Sequence, residues 1–308
     1  MSGVIVHILS TTTNLTYFKF IFWFNILNDD LFFIHLNNLY FLHFFLLMSL
    51  TFTSVKHAKP LCKINGSKYN GQTIYIDPNI NEMDSTSNFK QLKIPNNATF
   101  QMIPDSSHER DVYYVTGCSG SGKSYFVREY CKQYKKKFKD NDIYVFSNLK
   151  EDPTLDVIKL KRFKLDASLY DDPLPVEELK ESCVIFDDTD CISDKRVKNA
   201  VVDLLNQCLE VGRHYKITVL ITFHLPSDRH TTRKMLNECH YFVYFPHSCG
   251  NKIKYVLTNY LDIDEKQMKY FKRLNSRWLC IRKNYPLTFV SEHELGLLNV
   301  DSDNEATK

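Results

Sequence analysis

The sequence predicts an α/β fold in which a mostly parallel sheet is flanked by helices, and three observations carry that expectation. Strand-like runs alternate with helical stretches through the middle of the chain, the order that a parallel sheet with crossover helices produces. SCVIFDD (182–188) and ITVLITF (217–223) are continuous apolar runs, as strands covered on both faces must be. DVYYVTG (111–117) feeds a glycine-rich loop that opens directly onto a helical pattern.

Taken in order, residues 1–47 are crowded with Phe, Leu, Ile and Asn and carry few basic residues. Asn25, Asn28, Asp29, Asp30, His35, Asn37, Asn38 and His43 interrupt the apolar text at a cost that a bilayer-spanning helix does not tolerate well. One reading is a weak membrane anchor over residues 17–50. A signal peptide is a second, although a basic n-region and a small-residue cleavage site are missing. The third, and the one expected here, is a segment outside the natural product, with Met48 opening MSLTFTSVKHAKP.

Residues 48–110 read as a small β-rich N-terminal extension. Lys59 to Asp77 predicts two short strands around a Gly/Ser/Asn turn, Pro78 to Asn97 a polar loop, and Thr99 to Ile103 another strand. The main domain is expected over 111–298. Its first helix, SYFVREYCKQYKKKFKD, places Phe126, Tyr130 and Tyr134 near one stripe. A buried strand follows at Asp142 to Asn148, then an irregular stretch from Leu149 to Glu181 broken by Pro153, Pro173 and Pro175. The strongest helix runs from about Asp194 to Val211, with Val197, Val201, Leu204, Leu205, Cys208 and Leu209 at helical spacing and Gly212 as its stop. Strands at 217–223 and 240–246 are joined by a polar, basic link. Two short helices in KIKYVLTNYL and DEKQMKYFKRL and a late strand in RWLCIRK complete the domain, and 299–308 is an acidic tail expected to be disordered.

Composition excludes little. At 308 residues the chain suits one catalytic domain with appendages, and its 44% apolar and 24% charged content is ordinary for a globular protein. A net charge of +3 does not mark a nucleic-acid binder, so any basic groove must be local. Nine cysteines contain no CxxC pair, which argues against a disulfide framework and a zinc ribbon and favours a reducing compartment. Cys239, His240, His247 and Cys249 cluster in sequence at a spacing that fits no standard zinc site.

The chemistry is concentrated in Gly117-Cys118-Ser119-Gly120-Ser121-Gly122-Lys123-Ser124, which matches G-x-x-x-x-G-K-[ST] between a strand and a helix. Such a loop turns backbone amides onto phosphate oxygens at a helix N-terminus. Lys123 is expected to reach the β- and γ-phosphates and the Ser124 hydroxyl to ligate Mg²⁺, with Tyr125 following in the first turn. The nucleotide implied is ATP. At the end of SCVIFDD, Asp187 is expected beside the metal and Asp188 beside the attacking water, against the alternative of an acidic strand end or helix cap. Motor NTPases often carry Glu where Asp188 stands. Asp190 and Asp194 read as caps. Arg213 in Gly212-Arg213-His214 is either a cation at a helix C-terminus or a group aimed at a neighbouring subunit's γ-phosphate. His224, at the end of ITVLITF, is either structural or a sensor of the γ-phosphate.

The order GCSGSGKS, VIFDD, a helix ending in GRH, then ITVLITFHLP resembles the genome-packaging ATPases of poxviruses and their nucleocytoplasmic large-DNA-virus relatives, a branch of the FtsK/HerA superfamily. The resemblance covers about Tyr113 to Pro246 and rests on the combination with GRH, because the P-loop alone is widespread. It implies a RecA-like core, a homo-oligomeric ring with sites between subunits, and ATP-driven movement of double-stranded DNA into a capsid. It further implies capsid or portal partners, a place in the host cytoplasm at the virus factory and in the virion, Lys123, Ser124, Asp187 and Asp188 as the Walker residues, and Arg213 acting in trans. Family members usually carry Gln or Asn where this chain has His224.

Two basic runs are candidate DNA contacts, Lys132, Lys135, Lys136, Lys137 and Lys139 in the first helix and Arg229, His230, Arg233 and Lys234 in the link. The lysine run reads first as a solvated face, and the link reads equally as a solvated face or as a contact. Rival functions are another P-loop ATPase, such as a helicase or AAA+ remodeller, or a nucleotide-gated assembly protein with little turnover.

Overall fold

The computed structural model describes residues 4–8, 18–22, 49–54, 56–77, 88–105, 110–227, 231–248, 250 and 252–298. It divides into two units, 1–47 and 48–308. In the first, β1 (Val4–Ile8) and β2 (Phe18–Phe22) pair antiparallel, and the rest of the apolar segment lies outside the described residues. The acidic tail lies outside them too. Among the described residues no helix is long and apolar enough to cross a membrane.

The second unit is organised by a ten-stranded sheet. Its parallel half runs, side by side, β11 (Lys161–Phe163), β10 (Ile143–Ser147), β12 (Cys183–Asp187), β13 (Thr218–Phe223), β9 (Val112–Thr116) and β14 (Tyr241–Tyr244). The antiparallel half continues from β14 through β15 (Leu279–Arg282), β16 (Thr288–Ser291) and β17 (Glu294–Leu297) to β7 (Gln91–Lys93). Side chains alternate faces along a strand. Tyr114, Phe186, Ile221 and Phe242 accordingly enter one core, and Tyr113, Ile185, Leu220 and Val243 the other. The first face is covered by α3 (Lys195–Val211), α4 (Thr231–Glu238), α5 (Lys252–Leu261) and α6 (Glu265–Phe271), with the minor helix α2 (Ser168–Asp171) against α3.

On the second face lies α1 (Lys123–Lys137), whose Phe126, Val127, Tyr130, Cys131 and Tyr134 form its buried stripe. Beside it packs an antiparallel five-stranded sheet, in the order β6 (Asn88–Phe89), β3 (Ser49–Thr51), β5 (Thr73–Asp77), β4 (Lys59–Gly66) and β8 (Ala98–Met102). Leu61, Ile64, Ile74, Phe100 and Met102 of this sheet join the same core.

Three expectations are corrected. The stretch 78–97 is not only loop, since β6 and β7 lie in it and β7 supplies the last strand of the main sheet. The link after His224 contains α4, with Met235 and Leu236 turned into the core. The late part of the domain holds three strands rather than one, so parallel pairing stops at β14. In each case the local run is short, and pairing with a distant strand decides what propensity alone leaves open.

At the N-terminal edge of β9, Asp111 is fully buried and accepts a hydrogen bond from the Tyr130 hydroxyl at 2.7 Å, while its other carboxylate oxygen finds no partner among the described residues. Burial pushes its pKa up to about 7. An acid raised in this way holds its proton longer in the folded chain, so its contribution to stability is lost as pH rises from about 4 to about 7. The Asp111→Asn variant is expected to abolish that loss, roughly 4 kcal/mol at full development, measured as the difference in denaturant unfolding between the two pH values. A wild-type and variant that respond identically to pH would show that Asp111 ionises freely.

Candidate active site

Four strands deliver the site at the C-terminal edge of the parallel half, the end where open α/β sheets bind ligands. β9 ends at Thr116 and turns into the loop 117–122. Gly122 caps α1 at φ 115°, a left-handed conformation that other residues adopt at a cost. Gly117 answers a different need, because a Cβ there would come within 2.7 Å of the Phe245 ring and 2.6 Å of the Ser121 hydroxyl. Cys118, Ser119 and Gly120 form an exposed crest, Gly117, Ser121 and Lys123 are buried, and Ser124 is half-buried. Tyr125 is exposed, with the Arg128 guanidinium 4.4 Å from its ring centre.

Lys123, only 6% exposed, is the hub. Its Nζ donates to the Gly117 carbonyl at 3.0 Å and stands 3.3 Å from His224 Nδ1 and 3.5 Å from Asp188 Oδ1. His224 Nε2 lies 3.0 Å from Asp188 Oδ2. Asp188 adopts a left-handed backbone at φ 45°, held there by its own N–H donating to Thr222 Oγ1 at 2.9 Å. Lys123, Asp188 and His224, proposed separately from three stretches of sequence, therefore converge.

Asp187 sits one residue deeper. Strand register aligns Ser147, Asp187 and Thr222 in one row across β10, β12 and β13. Ser147 Oγ donates to Asp187 Oδ2 at 2.9 Å and Thr222 Oγ1 donates to Oδ1 at 2.8 Å. Burial raises the Asp187 pKa; the Thr222 hydrogen bond pulls it down, the neighbouring Asp188 charge raises it again, and the Ser147 bond opposes both rises. Each carboxylate oxygen keeps acceptor capacity beyond its one hydroxyl donor. Its carboxylate thus offers hard oxygens of the kind Mg²⁺ takes, and a divalent cation beside it would offset the desolvation of its charge, so the chemistry of Asp187 fits that metal.

Sequence reasoning overlooked Ser147, Thr222 and Phe245. The signal was present for the first two, since each is a polar residue at the end of an apolar strand. Phe245, whose ring fills the space beneath Gly117 and Gly122, shows itself only through contact.

Other candidates lie elsewhere. Arg213 occupies the turn between α3 and β13, at the opposite edge of the sheet from the loop, separated from it by the length of β13, roughly 20 Å. It cannot serve the site of its own chain. Arg110 donates to the carbonyls of Cys208 and Leu209 at the end of α3 and so shapes that turn. Asp194 is the N-cap of α3, accepting from the Arg196 and Val197 amides, whereas Asp190 precedes that helix and caps nothing there. In the lysine run, Lys132 pairs with Glu129 and Lys135 donates to the carbonyls of Lys139 and Asn141, leaving Lys136, Lys137 and Lys139 exposed. Lys234 pairs with Glu210; Arg229 and His230 lie outside the described residues. Among the described residues no group of three or more His, Cys, Asp or Glu side chains could hold a metal, and eight cysteines are free thiols. Cys249 lies outside them.

The glycine loop between β9 and α1, the strand β13 inserted between β9 and the aspartate-bearing β12, and the Lys123–Asp188 contact define a P-loop NTPase fold. No family model matches the sequence. Uncharacterized protein V3 of Sputnik virophage is 36% identical over 240 residues, covering 77% of this chain and 95% of that protein. The chain belongs to the family of that virophage protein. Among solved structures, the genome packaging NTPase B204 of Sulfolobus turreted icosahedral virus 2 in complex with AMP is similar at a TM-score of 0.45 and 15% identity, over 60% of this chain and 98% of that one. The pCW3 conjugation coupling protein TcpA, with ATPgS, is similar at 0.39 and 12% identity, over 80% and 79%. Both likenesses are distant, and the fold assignment stands on strand order and the loop instead.

Proposed function

We propose that this chain is a Mg²⁺-dependent ATPase that works as a homo-oligomeric ring and moves double-stranded DNA into a viral capsid. The observation that carries the reading is the convergence of Lys123, Asp188 and His224 on one point above Asp187, at the mouth of the glycine loop. In-line attack of water on a γ-phosphate needs positive charge at the phosphoryl oxygens and an oriented acceptor for the water proton. Lys123 supplies the first. Asp188, with Oδ1 facing Lys123 and Oδ2 facing His224, supplies the second. Ser124 and Asp187 would hold the metal, which neutralises charge on the phosphates when bound.

Coupling to DNA and the poxvirus-type assignment rest on the motif order with Gly212-Arg213-His214, and the virophage relative supports a viral setting. The position of Arg213 at the far edge of the sheet supports a role toward a neighbouring subunit, and with it a ring. The test measures phosphate release with and without duplex DNA, using mixtures of wild-type and Arg213→Ala chains. Stimulation by duplex DNA, and a fall in activity steeper than the fraction of variant added, are expected. Nucleotide binding without turnover in either condition would overturn the motor reading and favour a nucleotide-gated assembly protein.

A further inference from the structure

Resting on that nucleotide reading, the other half of the nucleotide needs a seat of its own beside the loop. Lys123, Asp187, Asp188 and His224 mark the γ-phosphate end, and they lie on the β12 and β13 side of the P-loop strand. On the opposite side, beyond β14, the loop borders a pocket of about 290 Å³. Its walls come from Gly120 and Ser121 of the loop, His247 and Ser248 after β14, Asn275 to Arg277 before β15, and the turn at Glu292 and His293. A volume of this size stands at the lower end of small-molecule sites.

The walls are built rather than loose. The Arg277 N–H donates to Glu292 Oε2 at 2.7 Å, the Glu292 N–H donates to Ser276 Oγ at 2.9 Å, and the Ser276 hydroxyl donates to the Trp278 carbonyl at 2.6 Å. His247 Nε2 is 3.2 Å from the Leu274 carbonyl and His293 Nδ1 is 2.9 Å from the Ala98 carbonyl. The Arg277 guanidinium reaches back over the loop, with Nη2 3.5 Å from where a Cβ on Gly122 would stand. Ser121 Oγ is buried and has no hydrogen-bond partner among the described residues. A cation above the loop and an unspent hydroxyl within it both call for an anionic ligand passing between them.

We infer that this pocket seats the nucleoside half of the triphosphate, and that Arg277 grips the α-phosphate where the chain of phosphates leaves the loop. The inference assigns separate residues to the two halves. Lys123 holds the β- and γ-phosphates; the 275–277 segment and His247–Ser248 hold everything beyond them.

The test is a binding matrix on the full chain, with ATP, AMP and inorganic tripolyphosphate as competitors of a fluorescent ATP analogue. Ser248→Trp fills the pocket from an exposed position, and Arg277→Ala removes the cation. Ser248→Trp is expected to weaken ATP and AMP by about tenfold or more and to leave tripolyphosphate unchanged, which also serves as the control for folding. Arg277→Ala is expected to weaken AMP about tenfold, with partial rescue by Arg277→Lys, while Lys123→Ala weakens tripolyphosphate and spares AMP. Unaltered ATP and AMP affinity in both Ser248→Trp and Arg277→Ala, with tripolyphosphate binding still weakened by Lys123→Ala, would overturn the pocket and leave the nucleotide reading standing. Failure of wild-type protein to bind either ATP or tripolyphosphate would remove the nucleotide reading itself, and the pocket with it.

Discussion

Replacing Lys123 with Ala is expected to lower ATP turnover by two to three orders of magnitude or more, the scale on which a single preorganised group opposite developing charge is worth. The ammonium group is buried and already surrounded by the Gly117 carbonyl, His224 and Asp188, so little reorganisation is needed for it to meet phosphate oxygens. Its removal leaves Asp188 without a cation, but Asp188 is 30% exposed and water can solvate it. The fold should therefore survive, with a melting temperature close to wild type. Phosphate release at saturating ATP is the measurement, and undiminished release in the variant would refute the assignment of the site.

Asp187→Asn separates function from stability. The variant retains a side chain that can meet both Ser147 and Thr222, but it loses the charge expected to hold Mg²⁺, and turnover should fall by about a hundredfold or more. Stability should move the other way. Because burial raises the Asp187 pKa, the folded chain keeps the proton longer than the unfolded one, and stability is lost as pH rises through the range above about 4. Asn has no charge to desolvate, so at neutral pH the variant should be at least as stable as wild type, and its advantage should vanish at acid pH. A variant that melts lower at pH 7 would mean that the carboxylate is better compensated than its surroundings indicate.

Much of the site was legible because its chemistry is carried by contiguous residues. The loop from Gly117 to Ser124, the Asp187-Asp188 pair closing an apolar run and the helix entered at Asp194 each depend on a short stretch with a strict local pattern. The misread segments share the opposite property. Gln91 to Lys93 is polar and three residues long, and it becomes a strand only because Leu295 and its neighbours in β17 present an edge. Thr231 to Glu238 read as a basic link because its helical face shows few apolar residues, and Met235 and Leu236 are enough to anchor it once a core is present.

The amino-acid sequence by itself determined that a glycine-rich loop joins a buried strand to a helix, which helix it opens and which carboxylates stand at the end of a buried strand. These follow from spacing along the chain. Only the tertiary structure decided that His224 meets both Lys123 and Asp188, that Ser147 and Thr222 hold Asp187 across sequence separations of 40 and 35 residues, and that Arg213 faces away from its own loop. The reason is strand order. Placing β13 between β9 and β12 brings the three C-terminal strand ends together and sends every preceding turn to the far edge of the sheet, and no local pattern encodes which strands become neighbours.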